Sequence, residues 1–136
     1  MTDILVSKDD GQVVTLTLND APANCLTMEM MSAIKMEIDR VNKSKDHKLV
    51  IFESSNEKIF CSGHSFNEVQ EMIKNNDKKS QELLFAECSE MLMKIRTSPK
   101  IFVAKVRGIA TAGGLGLVSI MDLSLIHISE PTRLDH

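Results

Sequence analysis

The chain has 136 residues, room for one domain rather than two, and its 43% hydrophobic and 26% charged content is that of a globular protein with an ordinary core. Aromatics are only 4%, with no Trp or Tyr, while nine Met make for an adaptable interior. A net charge of −3 argues against a nucleic-acid partner, three Cys without a CxxC pair argue against a disulfide framework or a zinc site, and no apolar run reaches the roughly 18 residues of a membrane span.

The N-terminus, MTDILVSKDD, carries early acids and no long apolar run, so it does not read as a signal peptide, and the expected setting is reducing and cytoplasmic. Asp9-Asp10-Gly11 is a hairpin signal between two short runs, and Val14 to Leu18 alternates apolar and polar as a half-buried strand does. Asn19 to Asn24 is turn chemistry. Thr27 then offers a hydroxyl cap to a helix with Met31, Ile34, Ile38 and Val41 on one face. Leu49 to Phe52 is continuously apolar, which suits a strand covered on both faces. Ser65 and Glu68 form a capping box for a second helix, whose period is set by Phe66, Val69, Met72, Ile73 and Asn76. Asn75 to Ser80 breaks that helix. A third is expected from about Gln81 to Arg96, with Leu84, Cys88, Met91 and Ile95 inward and Ser98-Pro99 as its stop. Ile101 to Val106 reads as a strand, and Gly108 to Gly116 as a small-residue turn into a short helix through Met121. Strands separated by helices make the fold α/β. Leu49–Phe52 and Ile101–Val106 are expected to be parallel neighbours.

Two turns stand out: Phe60 to Ser65, and Gly108 to Gly114. Each follows a strand and precedes a helix, where unpaired N–H groups favour negative charge. Side by side they would aim two donors at one oxygen, and one such donor is worth about 3–4 kcal/mol to an oxyanion. Turns of this kind also serve structure alone. A dinucleotide turn is rejected because Ser119 stands where the third glycine belongs, and a phosphate loop because Gly113 is followed by Gly114 rather than Lys.

Three ordered segments resemble the crotonase (enoyl-CoA hydratase/isomerase) family. Thr17 to Leu26 is similar to the opening L-N-x-P-x-x-N-A-L/M turn. Lys58 to Ser65 resembles K-x-F-[SC]-[AS]-G-x-D, and Val106 to Leu123 resembles V-x-G-x-A-x-G-G-G followed by L and D. The resemblance implies the N-terminal part of a crotonase-like ββα spiral over residues 1–124. It places the two oxyanion N–H groups on His64 and Gly113. Ala23, Ser62 and Phe66 match positions bordering the coenzyme A and acyl groups. Lys58 matches either a phosphate neighbour or a solvated surface lysine. The His64 side chain is either a proton donor or acceptor, or simply part of the pocket mouth. No metal or redox cofactor is implied, since coenzyme A enters as part of the substrate. The implied partners are an acyl-CoA thioester and, for the parent protein, further copies in a trimer-based homo-oligomer, with neither nucleic acid nor membrane.

The match also has gaps. The family glutamate beside the second turn falls on Gly116, and Glu130-Pro131 reverses the order of the later family P-E pair. Ser65 replaces the usual aspartate, an exchange a helix cap tolerates. Residues 125–136 read as an atypical, foreign tail on a truncated domain, although Ser124 to Ile128 alternates like a strand. The expected chemistry is hydration or dehydration of an enoyl- or dienoyl-CoA, then double-bond isomerisation, with the enolate held by backbone donors. The alternative is a non-catalytic CoA-thioester binder or an inactive truncated fragment.

Overall fold

The computed structural model describes residues 3–110 and 113–126. Strand β1 (Leu5–Asp10) turns through Gly11 into β2 (Val13–Leu18), an antiparallel hairpin that pairs Leu5 with Leu18. Helix α1 (Met28–Lys43) follows, capped by the Thr27 hydroxyl, which accepts from the Met30 N–H at 3.0 Å. Strand β3 (Leu49–Ser54) and the short β4 (Ile59–Cys61) lead to α2 (Phe66–Lys74) and α3 (Lys78–Thr97). The chain ends with β5 (Ile101–Val106), β6 (Ile109–Ala110), α4 (Gly113–Ser119) and β7 (Leu123–Ile126).

One sheet has the order β1-β2-β3-β5-β7 and is parallel after its first pair, as strand–helix alternation predicts. The expected pairing holds: Leu49 lies beside Ile101 and Phe52 beside Ala104. Alternate residues of β2 (Val14, Leu16, Leu18) and β3 (Val50, Phe52) are fully buried in one cluster. Met30, Met31, Ile34, Ile38 and Val41 of α1 and Leu84, Met91 and Ile95 of α3 belong to the same cluster. Burying each such side chain contributes about 1.5–3 kcal/mol. The Lys35–Glu87 ion pair ties α1 to α3 outside this core.

A second, two-stranded parallel sheet, β4-β6, stands apart from the first. Both glycine turns leave from it, not directly from the large sheet. The sequence shows Gly108 to Gly116 as one turn, yet Ile109 and Ala110 pair with β4 and the helix begins at Gly113. Two or three paired residues are too few to leave a periodic signal.

Three other expectations shift. Leu49 and Ile51 are only half-buried, so the helices cover one face of β3, and its apolar run reflects paired neighbours on both edges. Helix α2 buries no residue: Val69 and Met72 touch the core, while Phe66 and Ile73 are 74% and 63% exposed and Asn76 lies beyond the helix end. Helix α3 starts at Lys78 rather than near Gln81, because Asp77 caps it, accepting from Ser80 N–H at 3.0 Å and from its hydroxyl at 2.6 Å. The Ser65 and Glu68 box is half made. Ser65 Oγ accepts from the Glu68 N–H at 3.3 Å, but Glu68 Oε1 is buried and meets no donor among the described residues. Strand β7 does pair with β5, Val103 beside Leu123; residues 127 and 128 of the expected strand lie outside the described residues.

Candidate functional site

The site is assembled around a loop that bonds to β4. Asn24 sits in the left-handed region at φ 49° and is 1% exposed. Its Oδ1 accepts from Asp20 N–H at 2.7 Å, and its Nδ2 donates to Ser54 Oγ at 2.8 Å and to the Phe60 carbonyl at 3.0 Å. A buried amide so engaged is fully matched, and it clamps the loop onto the strand that leads to the first glycine turn. Ser54 Oγ continues the network by donating to the Ile59 carbonyl at 2.8 Å.

From there the segment Phe60 to His64 runs alongside Ala23 to Leu26. Ser62 donates to the Ala23 carbonyl from its N–H and its hydroxyl, each at 3.1 Å, and Leu26 N–H donates to the Gly63 carbonyl at 2.7 Å. Cys25 Sγ lies 3.5 Å from Ser62 Oγ. Gly63 is buried at φ 88°, a conformation that side chains rarely adopt and that turns the chain into α2. The His64 N–H, next in line, meets no acceptor among the described residues. The His64 ring is held at both ends: Nδ1 is 3.2 Å from the Leu26 carbonyl, and the ring stands edge-on to Phe85 with centroids 6.1 Å apart.

The second turn is brought in by contact between backbones. Gly114 lies so close to the Cys61 carbonyl that any Cβ there would overlap it. This packs the first turn of α4 onto the end of β4, three residues before His64. Ile109 N–H bonds to the Lys58 carbonyl at 2.9 Å and holds the other end of the small sheet. Burial pushes the Cys61 thiol up to about 11, partly offset by a hydrogen bond from the Gly63 backbone. Asp122 anchors the exit of α4, its carboxylate accepting from the Phe102 N–H at 2.8 Å.

Of the expected site residues, Ser62 is hydrogen-bonded to Ala23, His64 is tied to the adjoining Leu26 carbonyl, and Gly113 is the first residue of the helix that packs on Cys61. Lys58 contributes its backbone to β6, while its side chain is exposed and unpaired among the described residues. Phe66 stands in solvent beside the His64 segment. Asn24, Leu26, Ser54 and Phe85 were not foreseen in these roles. Asn24 was visible in the first motif, but nothing local says that its amide reaches a strand 36 residues away. Two hollows among the described residues lie elsewhere: one of about 100 Å³ among Glu53, Ser54, Lys105 and Arg107, and one of about 580 Å³ along α2 from Asn67 to Asn75. Neither of these two is lined by His64.

The family profile described as enoyl-CoA hydratase/isomerase matches residues 8–129, a span that contains the whole of this assembly. The chain belongs to the enoyl-CoA hydratase/isomerase family. It is 30% identical over 118 residues to enoyl-CoA hydratase domain-containing protein 3, mitochondrial, of Rattus norvegicus, covering 87% of this chain and 38% of that protein. It is 32% identical over 108 residues to 3-hydroxyisobutyryl-CoA hydrolase, mitochondrial, of Danio rerio, covering 79% and 28%. Among solved structures, an enoyl-CoA hydratase of Mycobacterium smegmatis superposes with a TM-score of 0.84 at 33% identity, over 92% of this chain and 48% of that one. The chain thus spans less than half the length of these relatives. The α/β crotonase fold expected from its three segments is the fold it has.

Proposed function

We propose that this chain binds an acyl-CoA thioester and holds its carbonyl oxygen between the N–H groups of His64 and Gly113, in hydratase/isomerase-type chemistry. One observation carries this reading: the contact of Gly114 with the Cys61 carbonyl brings the helix that starts at Gly113 against the turn that presents a His64 N–H with no acceptor among the described residues. Backbone donors fixed in this way need no rearrangement when charge develops on the oxygen. Phe85, which packs against the His64 ring, and Phe66, two residues along the chain, are 59% and 74% exposed and offer apolar surface for an acyl chain. Coenzyme A enters as part of the substrate, and Lys58 is free to meet one of its phosphates.

The reading is tested with crotonyl-CoA, following binding by calorimetry and hydration by loss of the enoyl-thioester absorbance. Gly113→Pro deletes one donor at the first position of a helix, where proline is tolerated. Turnover should fall about 10²–10³-fold with a smaller change in affinity. A folded Gly113→Pro protein with full turnover would remove Gly113 from the mechanism.

A second reading, a non-catalytic thioester binder, is favoured by Gly116, which takes the position where the family pattern places a glutamate. A Cβ at Gly116 would meet nothing within 4 Å, so Gly116→Glu can be made without a clash at its first side-chain carbon. Hydration that appears only in that variant would support the binder.

A further inference from the structure

We infer that the His64 imidazole is the catalytic residue that moves the α-proton of the bound thioester, while the amide of the same residue holds the carbonyl oxygen. This rests on the acyl-CoA reading above and adds to it the group that carries the proton. A carbonyl oxygen can only accept, so the 3.2 Å contact with Leu26 puts the ring hydrogen on Nδ1. In the neutral ring Nε2 then keeps its lone pair, and it has no partner among the described residues. Leu26 grips the turn from both sides, donating its own N–H to the Gly63 carbonyl at 2.7 Å while its carbonyl receives Nδ1. Its side chain is fully buried in the core, so the orientation of the ring is set by a fixed backbone. The Phe85 ring, at 86° to the imidazole plane with centroids 6.1 Å apart, packs against it.

The other titratable groups of the assembly are less suited to the task. Gly116 offers none, Cys61 is fully buried, Cys25 Sγ is engaged with Ser62 Oγ at 3.5 Å, and Glu68, in the first turn of α2, has one carboxylate oxygen enclosed. Nε2 of His64 takes the proton from the carbon next to the thioester carbonyl. The electron pair of that C–H bond becomes the enolate, whose oxygen charge rests on the backbone N–H groups. The imidazolium then returns the proton to the same carbon, or to the γ-carbon of an enoyl chain, which moves the double bond. Nothing else is consumed.

The test uses the full chain and butyryl-CoA in deuterium oxide, reading loss of the α-proton signal by NMR and binding by calorimetry. Wild type should bind and exchange. His64→Ala and His64→Gln should bind as wild type does, because the amide remains, and exchange about 10²–10⁴-fold more slowly. Added imidazole should restore exchange in His64→Ala but not in His64→Gln, whose side chain fills the space. Phe85→Leu, on an exposed position that leaves the core intact, should exchange partly more slowly and cover the case of a His64 variant that does not fold. Binding without exchange in wild type, or wild-type exchange in a His64 variant, overturns this inference alone. Absence of butyryl-CoA binding in wild type overturns the acyl-CoA reading and this inference with it.

Discussion

The Asn24 side chain donates to the Phe60 carbonyl at 3.0 Å, joining the loop before α1 to the strand that precedes the site. Asn24→Leu should strand that buried carbonyl and place a branched side chain at φ 49°. A loss of about 1–3 kcal/mol in urea unfolding is expected from the orphaned acceptor, with weaker thioester binding as Ala23 to Leu26 comes loose. An unchanged melt would show that the clamp is dispensable.

Gly114 and Gly116 make a matched pair on α4. Gly114→Ala puts a methyl group into the Cys61 carbonyl and should cost about 1–3 kcal/mol or more, as overpacking does, while separating α4 from β4. Gly116→Ala meets open space in a helix interior and should stabilise by up to about 1 kcal/mol. Thermal melts of the two variants should move in opposite directions, and equal shifts would refute the contact.

Thiol reactivity should follow burial. Cys61 is fully buried with its thiol pushed up to about 11, whereas Cys25 is partly exposed. At pH 8 almost none of Cys61 is thiolate, so iodoacetamide should label it last. Peptide mass mapping over time checks the order. Early modification of Cys61 would mean that β4 opens readily.

Acid should weaken the corner where α1 meets β1. Arg40 holds Asp9 below the usual carboxylate range through bonds of 2.9 and 3.0 Å. A lowered folded value means the contribution is present above pH 3.8 and lost as pH falls through the folded value. Both side chains are about two-fifths exposed, so the effect should stay below about 1 kcal/mol and shrink in high salt. Asp9→Asn should flatten this part of the stability profile between pH 5 and 2. An identical profile in that variant would assign the acid sensitivity elsewhere.

Features set by neighbours along the chain could be read directly. The Thr27 cap, the buried stripe of α1, the Asp9-Asp10-Gly11 hairpin and strand Ile101–Val106 all follow from caps, periodicity and turn chemistry within a few residues. The parallel pairing of β3 with β5 followed too, because helices separate strands that are buried together. The turns alone name no particular donor; His64 and Gly113 as the donor pair rest on the family resemblance and belong to the proposed function.

Contacts between distant backbones could not be read in this way. The two-stranded β4-β6 sheet, the contact of Gly114 with Cys61 and the reach of Asn24 to Phe60 join segments with no shared period. Exposure of Phe66 and Ile73 was equally hidden. Helical spacing shows which residues share a face, but α2 meets the core only through Val69 and Met72, and that choice belongs to the packing of α2 on its neighbours. Local chemistry determined each turn and helix; long-range packing determined that two of those turns meet.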